Sequence, residues 1–343
     1  MQPNSPSADP SLVTAVIPTR GRPDLLVGAI RSALRQTWMQ MEVLVVVDGP
    51  DPQTAARLAS VSDPRLRVVS LPEPVGGSSA RNVGVRAARG EWIAFLDDDD
   101  EWLPEKIEHQ MHAMWQMSDW FPIVSCRLIA QSPSASRVLP VHCYNPVDPV
   151  ADYLFVREGF SDPGGLLQTS TLLAPRELLL AVPFRDGLPL HQDWDWLIRA
   201  TSHRGVGVAM LPQPLSIWRV EDFRSTVGHR ADWRTSFSWV REVRRLISPR
   251  SFSWFIAIQC AWRAQSSRAG LHTRLRLLAA LLFDGQPELR SVLHFLVFSL
   301  VPARLRRILR DGLARGSREP TAPGLHLVPT RKPAAPVLRK SSL

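Results

Sequence analysis

The chain has 343 residues, of which 45% are hydrophobic and 21% charged, a composition typical of a globular protein and not of a disordered or collagen-like one. Its length predicts one large domain with an appendage, or two domains. The three cysteines, Cys126, Cys143 and Cys260, are far apart and form no CxxC pair. They argue against a disulfide scaffold and a four-cysteine zinc site, and they favour a reducing compartment. The polar first ten residues predict no signal peptide.

Charge is unevenly distributed along the chain. Residues 1–200 carry 17 basic and 24 acidic side chains, a balance of −7, whereas residues 201–343 carry 24 basic and 8 acidic ones, a balance of +16. An acidic half followed by a basic half indicates two roles in one chain. No recognisable nucleic-acid-binding module accompanies the basic half, so we expect no nucleic-acid partner.

In the first hundred residues, short apolar runs alternate with amphipathic segments. The predicted strands cover 13–18, 43–47, 66–71 and 92–96, and the predicted helices start at Pro23 and cover 52–59 and 78–88. Strands that alternate with crossover helices form a parallel sheet with right-handed connections. This part of the chain is therefore predicted to be an open, doubly wound α/β domain.

The later elements are less regular. Helices are predicted over 104–117, 175–181 and 194–200, strands over 121–129, 166–173 and 206–211, and a loop over 132–149. After Asp232 the sequence predicts apolar helices flanked by arginines. Residues 319–343 contain five prolines and little periodicity, which is typical of a disordered tail.

Polar residues follow three of the predicted parallel strands, at the edge where such sheets bind ligands. They are Thr19 and Arg20 after the first strand, Asp48 after the second, and Asp97–Asp100 after the fourth. Two carboxylates about 5 Å apart repel each other by roughly 3 kcal/mol at an effective dielectric of 20. An oxygen-only set of this kind predicts Mg²⁺ or Mn²⁺ that also bridges substrate phosphates. The alternative is a solvated acidic turn that caps the following helix.

Two further motifs are weaker. Residues 76–82 precede a helix but match neither a P-loop nor a dinucleotide fingerprint, although the helix N-terminus and Arg81 suit an anionic ligand. Asp193 and Asp195 alternate with Trp194 and Trp196, and apolar neighbours raise the pKa of a carboxylate and make it a better general base. The alternative is that Asp193 only caps the next helix.

Together these motifs resemble the family 2 glycosyltransferases of the GT-A fold over about residues 14–219. The strongest stretch is GSSARNVGVRAARGEWIAFLDDDD followed by EWLPEKI, and VIPTRGRPDLL and EVLVVVDGP lie at the expected spacing. The resemblance implies a Rossmann-like, doubly wound, mostly parallel sheet flanked by helices, with a C-terminal helical extension. It also implies an inverting transferase that moves a sugar from a nucleotide-sugar donor, with UDP favoured, to a hydroxyl of a saccharide or lipid-linked acceptor.

The resemblance further assigns site residues. The nucleotide-sugar site would contain Pro18, Thr19, Arg20, Asp48, Arg81, Asp97, Asp98 and Arg219. Asp97 and Asp99, the outer members of the DxD motif, would hold the divalent cation, and Asp193 would be the catalytic base. Asp195 is the competing base candidate, but two residues along a helix it should face elsewhere. At two positions where the family usually has an acid, this chain has Val47 and Gln192.

The implied domain organisation has four parts. These are a disordered N-terminus over 1–10, the catalytic domain over 11–230, a basic helical region over 231–312, and a disordered Pro/Arg-rich tail over 313–343. The longest charge-free stretches after residue 250 have 12 and 13 residues, fewer than the ~20 needed to span a bilayer.

The basic helical region has two interpretations. Arg304, Arg306, Arg307 and Arg310 follow an apolar stretch directly, which favours a peripheral contact with an anionic membrane. A cytoplasmic chain with this contact would lie at the inner face of the cell membrane. In the alternative, the helices pack on the catalytic domain or form a dimer contact, and the oligomeric state is open.

Two non-enzymatic functions remain as alternatives. A non-catalytic GT-A-like binding protein should have lost a DxD or base carboxylate, and this chain keeps both. A basic scaffold associated with membranes should bind no nucleotide sugar. The transferase is therefore the favoured function.

Overall fold

The computed structural model describes residues 11–133, 135–160, 162–220 and 232–301. The two predicted disordered ends and the arginines between 304 and 310 lie outside these residues.

The first hundred residues form four parallel strands connected by helices. In chain order the elements are β1 (Val13–Thr19), α1 (Pro23–Leu34), β2 (Met41–Val47), α2 (Pro52–Leu58), β3 (Leu66–Ser70), α3 (Gly77–Ala87) and β4 (Trp92–Phe95). The strands lie in the order β3-β2-β1-β4, and each neighbouring pair is parallel. Strand β2 is buried at every position, which explains why its apolar run shows no alternation. The doubly wound α/β arrangement predicted for this segment is confirmed.

Strands of both directions extend this sheet. The next elements are β5 (Glu101–Trp102), α4 (Lys106–Trp115), β6 (Phe121–Gln131), β7 (Ser136–Leu139), α5 (Val150–Phe155), β8 (Leu173–Pro175), α6 (Arg176–Ala181), α7 (Gln192–Thr201) and β9 (Val206–Arg219). Within the described residues the sheet has nine strands, in the order β3-β2-β1-β4-β8-β6-β9-β5, with β7 paired to β6. Strand β8 is antiparallel to β4 and β6, and β9 runs parallel to β6.

Three elements differ from the sequence-based expectation. Strand β7 forms a short antiparallel pair with β6 inside the segment predicted as a loop. The strand predicted over 166–173 is mostly irregular, and it includes a 3₁₀ turn at Thr169–Thr171 before β8 begins. Strand β9 continues well beyond residue 211, because its prolines fall where the register with β6 shifts between Cys126 and Leu128 and a missing N–H donor is tolerated.

The hydrophobic core lies on both faces of the sheet. On β1, Ala15 and Ile17 contact one apolar cluster, which α1 and α4 cover. Val16 points to the opposite face and belongs to a second cluster with Val85 of α3. Alternate positions of one strand therefore contribute to two separate helix layers, as a buried parallel strand requires.

The C-terminal helices pack on the second of these layers. They are α8 (Trp233–Glu242), α9 (Pro249–Phe255), α10 (Ala261–Ser266), α11 (Leu271–Ala279) and α12 (Leu289–Leu300), with π-helical turns at Ile256–Cys260 and Ala280–Asp284. The ring of Phe155 on α5 lies 5.1 Å from that of Phe255 and 6.3 Å from that of Trp239. No helix in the described ranges has the length and apolar character needed to cross a bilayer.

Candidate active site

The carboxyl ends of β1 and β4 bring Thr19 and the acidic run together. The hydroxyl of Thr19 donates a hydrogen bond of 2.7 Å to Asp98 Oδ2. Arg22 Nη1 lies 3.0 Å from Asp98 Oδ1 and 3.0 Å from Asp99 Oδ2. The residues predicted from neighbouring strand ends therefore do meet at one edge of the sheet.

The arginine that contacts the acidic run is Arg22, and the predicted position of Arg20 in the nucleotide pocket stays a prediction. Arg20 is exposed, and Pro18 on β1 is half-buried. Between the two arginines, Gly21 has a φ of +66°, a conformation that favours glycine, and Arg22 after it contacts the carboxylates. The motif TRGRP contains both arginines, but its spacing does not reveal which one reaches the site.

Asp48 is buried at the end of β2 and fixes the loop that leads into α3. Its Oδ1 accepts a hydrogen bond from the backbone N–H of Val75 at 2.6 Å, and its Oδ2 accepts one from Gly76 at 3.0 Å. Gly49 follows with a φ of +98°, and a Cβ there would lie 2.9 Å from Pro74. The predicted contact of Asp48 with a nucleotide base stays a prediction, and positioning the glycine loop is an additional role of this side chain.

Arg81 connects the acidic run to the start of α7. Its Nη2 donates to Asp97 Oδ1 at 2.5 Å, and its Nη1 donates to Gln192 Oε1 at 2.8 Å. The side chain is buried and its guanidinium lies 5.8 Å from the centre of the Phe184 ring. Charge-assisted hydrogen bonds in such a setting are short and directional, so Arg81 holds two distant segments in one arrangement.

The carboxylate of Asp100 is held by side chains from the segment before β8. Its carboxylate accepts hydrogen bonds from Ser170 Oγ at 2.6 Å and Gln168 Nε2 at 2.8 Å. The same Ser170 hydroxyl accepts a bond from the backbone N–H of Asp97. Burial, with a further contribution from the charge of Asp97, raises the pKa of Asp100 to about 8. Burial also raises the pKa of Asp98 to about 6.

The acidic run fits a divalent cation that arrives with a diphosphate. Asp97 and Asp99 keep 28% and 25% of their side-chain surfaces open, so both carboxylates remain accessible to a cation. In the described part of the chain, no three His, Cys, Asp or Glu side chains are arranged to hold a metal ion by themselves. Mg²⁺ and Mn²⁺ commonly use one or two carboxylates and complete their coordination with phosphate oxygens and water.

Asp193 lies in the first turn of α7 and does not cap it. The N-cap residue is His191, in the left-handed conformation with φ 61°, so the capping alternative is wrong. Asp193 Oδ1 accepts a hydrogen bond from the backbone N–H of Trp194 at 2.9 Å. Burial raises the pKa of Asp193 to about 6, against the lowering effects of this bond and of the Arg81 charge. Such a carboxylate is ionised at neutral pH and is a stronger base than an ordinary aspartate.

Helix α8 holds the turn before Asp193 in place. The Nε2 of His191 lies 2.9 Å from the hydroxyl of Ser236 on α8. The imidazole also stacks on Trp194 with ring centroids 4.8 Å apart. A positive φ is rare for a residue with a side chain, and the contacts with α8 are what hold His191 in this conformation.

Asp195 is fully buried and belongs to the protein's framework. Its carboxylate accepts from Arg199 Nε at 2.8 Å, from Arg185 Nη2 at 3.0 Å and from Trp239 Nε1 at 3.0 Å. These contacts tie α7 to α8. Asp195 faces away from the acidic run, as expected for a position two residues along the helix, and its oxygens are occupied.

We expect Asp195→Ala to lower the free energy of unfolding by about 3 kcal/mol, because Arg185 and Arg199 lose the buried carboxylate that pairs them. Urea unfolding followed by tryptophan fluorescence measures this change. Asp24→Ala removes a carboxylate that is 86% exposed and should change stability by less than about 0.5 kcal/mol. Equal stability of the two variants would contradict the structural role of Asp195.

Arg219 lies at the end of β9 and is exposed. Its Nη2 contacts Glu101 Oε1 at 2.5 Å, directly after the acidic run. Residues 221–231, which follow it, lie outside the described part of the chain. The proposed contact of Arg219 with a diphosphate stays a prediction.

Comparison with protein-family models gives one match. Residues 14–125 match the family described as glycosyl transferase family 2. The matched segment contains the strands β1 to β4 and the acidic run, so it includes the part of the candidate site that would bind the diphosphate.

Three curated relatives show the same similarity. The amylovoran biosynthesis glycosyltransferase AmsB of Erwinia amylovora is 29% identical over 59% of this chain and 68% of its own length. The succinoglycan biosynthesis protein ExoO of Rhizobium meliloti is 41% identical over 29% of this chain and 28% of its own length. The Escherichia coli β-1,3-glucosyltransferase WfgD, named for UDP-Glc and α-D-GlcNAc-diphosphoundecaprenol, is 33% identical over 31% of this chain and 42% of its own length.

Among solved structures, residues 1–349 of Staphylococcus aureus TarS in complex with UDP-GlcNAc match with a TM-score of 0.50. The alignment covers 89% of this chain and 88% of that chain at 17% identity. At this identity the similarity shows a shared fold. It confirms the predicted class, a GT-A-like α/β sheet flanked by helices with a C-terminal helical extension.

Proposed function

We propose, for a chain whose residues 14–125 belong to glycosyl transferase family 2, that it is a metal-assisted inverting glycosyltransferase acting on a hydroxyl of a saccharide or lipid-linked acceptor. The observation that carries the proposal is the Arg81 guanidinium, which joins Asp97 of the acidic run to Gln192 beside Asp193. One buried cation thus links the edge suited to a diphosphate with the carboxylate suited to act as base.

A nucleotide sugar with a UDP carrier is the proposed donor. Pro18, Thr19 and Arg20 would line the nucleotide pocket, and Asp48 would contact the base while it holds the glycine loop. The carrier is supported by the names of the E. coli relatives WfgD and WfaP, both described as acting with UDP-Glc. The same names include a diphosphoundecaprenol-linked sugar, which supports a lipid-linked acceptor for this chain.

The acidic run would bind the diphosphate through a cation. Mg²⁺ or Mn²⁺ held by Asp97 and Asp99 would supply the positive charge that stabilises the departing diphosphate. Arg81 keeps Asp97 in place, and Arg22 does the same for Asp99. Asp98, bonded to Thr19, would approach the ribose or the diphosphate. Arg219 would add positive charge from the end of β9.

Asp193 would act as the general base. It removes the proton from the acceptor hydroxyl while that oxygen forms a bond to the anomeric carbon of the donor. The bond between the anomeric carbon and the diphosphate oxygen breaks, and its electron pair leaves with the nucleoside diphosphate. Attack from the opposite face inverts the configuration, so an α-linked donor gives a β-linked product. Positioning and charge stabilisation supply most of the rate enhancement in such a displacement.

Calorimetric titration of UDP, GDP and dTDP into the full chain, with Mn²⁺ and with a chelator, tests the proposal. We expect one nucleoside diphosphate to bind only when metal is present. The matching monophosphate should bind much more weakly, because it lacks the second phosphate that the cation needs. If the folded protein binds none of the three, the transferase proposal fails and a scaffold function of the basic half is favoured.

The pH dependence of kcat/KM should reveal the proposed base. We expect kcat/KM to fall as pH decreases through about 6, because Asp193 must be ionised to accept a proton. Measurement at saturating metal between pH 5 and 8 checks this. Because Asp98 has a similar pKa, Asp98→Asn is the control, and it should keep the falling limb. A flat profile would contradict the role of Asp193.

A further inference from the structure

Helix α12 buries one side against the protein and leaves a row of leucines exposed on the other. Ser291, His294, Phe295 and Ser299 are buried, and Val292 and Phe298 pack partly buried against the same apolar cluster. The exposed side chains are Leu289 at 76%, Leu293 at 40%, Leu296 at 38% and Leu300 at 63%, which we call the leucine row. They are spaced by four, three and four residues and so lie along one stripe of the helix. A surface helix normally exposes polar side chains, and a contiguous exposed apolar stripe of this kind is typical of an interaction surface.

Helix α11 and the π-helical turn after it carry a second exposed apolar set. Its members are Leu271, Leu275, Leu282 and Phe283, and Phe283 is 83% exposed. Arg276, next to Leu275, is exposed on the same helix. Exposed apolar side chains and a cation thus occur together on this helix, as on helices that lie in a membrane interface.

Arg276 also belongs to an arginine groove, which we define by Arg234, Arg241, Arg276, Trp233 and Phe237. These residues line a cavity of about 530 Å³. The guanidinium of Arg276 lies 5.4 Å from the centre of the Phe237 ring, and that of Arg241 lies 5.8 Å from it.

The positive charge in this groove is poorly neutralised. Glu242 lines the same cavity but is already paired with Arg185, and Arg234 pairs with Asp232. Among the contacts of the described residues, Arg241 and Arg276 have their aromatic neighbour and no acidic partner. Two cations beside one ring favour an anion between or above them.

We propose that the leucine row, the exposed face of α11 and the arginine groove dock the protein on an anionic lipid bilayer. The leucines would enter the interface between headgroups and acyl chains, and the arginines would bind lipid phosphates. Helices α11 and α12 have 9 and 12 residues, fewer than the ~20 needed to span a bilayer, and would lie in its interface.

The charge of this region favours a bilayer over a second copy of the chain as the partner that covers the leucine row. Residues 232–301 contain ten arginines and four acidic residues, and four further arginines follow within ten residues of Leu300. A second copy that presented the same surface would bring like charges together, whereas an anionic bilayer brings phosphates. The leucine row begins between Glu288 and Arg290, and the carboxylate of Glu288 is already neutralised by Arg250.

Co-sedimentation of the full chain with lipid vesicles tests the proposal. We expect binding to vesicles of phosphatidylglycerol mixed with phosphatidylcholine, and binding at least roughly tenfold weaker to pure phosphatidylcholine. Added salt should weaken the binding, because the phosphate contacts are screened.

Two double variants separate the apolar from the charged contribution. Leu293→Gln with Leu296→Gln should weaken binding to the anionic vesicles roughly tenfold, since two buried leucines are lost from the interface. Arg241→Gln with Arg276→Gln should weaken it roughly fivefold per arginine and remove most of the preference for anionic lipid. Leu180→Gln and Arg89→Gln change side chains of similar exposure elsewhere and should bind like the wild type.

The proposal is overturned if the wild-type chain does not sediment with anionic vesicles, or if both double variants bind as tightly as the wild type. It is also overturned if the chain is a dimer by light scattering and the leucine variant is a monomer, because the leucine row is then a protein interface. Unchanged circular dichroism and Tm show that the variants are folded. Nucleotide binding does not depend on this surface, so failure of vesicle binding leaves the transferase proposal intact.

Discussion

Asp193→Asn is expected to lower kcat roughly 10²–10⁴-fold, the range measured for loss of a general base. The amide has the shape of the carboxylate but cannot accept the proton of the attacking hydroxyl. Affinity for the nucleoside diphosphate should be unchanged, because the phosphate-facing charges are those of the acidic run and Arg81. Initial rates of sugar transfer and calorimetric Kd values, measured on the same preparation, check the two halves of this prediction.

Two comparisons make this result specific. Asp148→Asn changes an exposed carboxylate away from the site and should keep the wild-type rate. Asp195→Asn should lower stability much more than it affects the intrinsic chemistry, since Asp195 holds α7 to α8. If Asp193→Asn keeps the wild-type kcat, another group is the base.

Asp99→Asn is expected to remove the metal-dependent part of nucleotide binding, with a loss of at least about 100-fold in affinity measured with Mn²⁺. Changes to groups that only support metal ligands cost 10–100-fold, so loss of a ligand should cost as much or more. Titration of the nucleoside diphosphate that binds the wild type, with Mn²⁺ and with a chelator, measures the affinity and its dependence on the metal.

The contact between Asp99 and Arg22 offers another explanation that the same titration can detect. If Asp99 acted only by holding Arg22, Arg22→Gln would lower the affinity measured with Mn²⁺ by the same factor as Asp99→Asn. Arg22→Gln then serves as the comparison, because it breaks that contact and keeps the carboxylate. Asp24→Asn, close in sequence but 86% exposed, should bind like the wild type.

The meeting of Thr19 with Asp98 could be predicted from the sequence because parallel strands end on the same edge. Buried strands β1 and β4 are recognisable from continuous apolar residues, and their pairing fixes where the following polar residues lie. The contact of Ser170 with Asp100 could not be predicted in this way. Ser170 lies in a 3₁₀ turn between irregular segments, where no periodicity indicates which side chain points to the site.

The strands β8 and β9 are also difficult to predict, because their sequences lack a clear hydrophobic pattern. Antiparallel β8 has three residues, too few for a hydrophobic pattern, and the prolines in β9 resemble the end of a strand. Arg22 illustrates the problem at the level of one side chain. Whether it or Arg20 faces the carboxylates depends on the backbone direction at Gly21, which side-chain chemistry does not encode.

The anchoring of His191 and Asp195 by α8 makes the proposed base a joint property of two regions. Asp193 lies between these two residues, and Ser236 and Trp239 contact one each. A chain shortened before α8 would keep every residue of the acidic run but lose the supports on both sides of Asp193. The C-terminal helices are therefore part of the framework of the site. A displacement of α8 would change the orientation of Asp193 through His191 and Asp195.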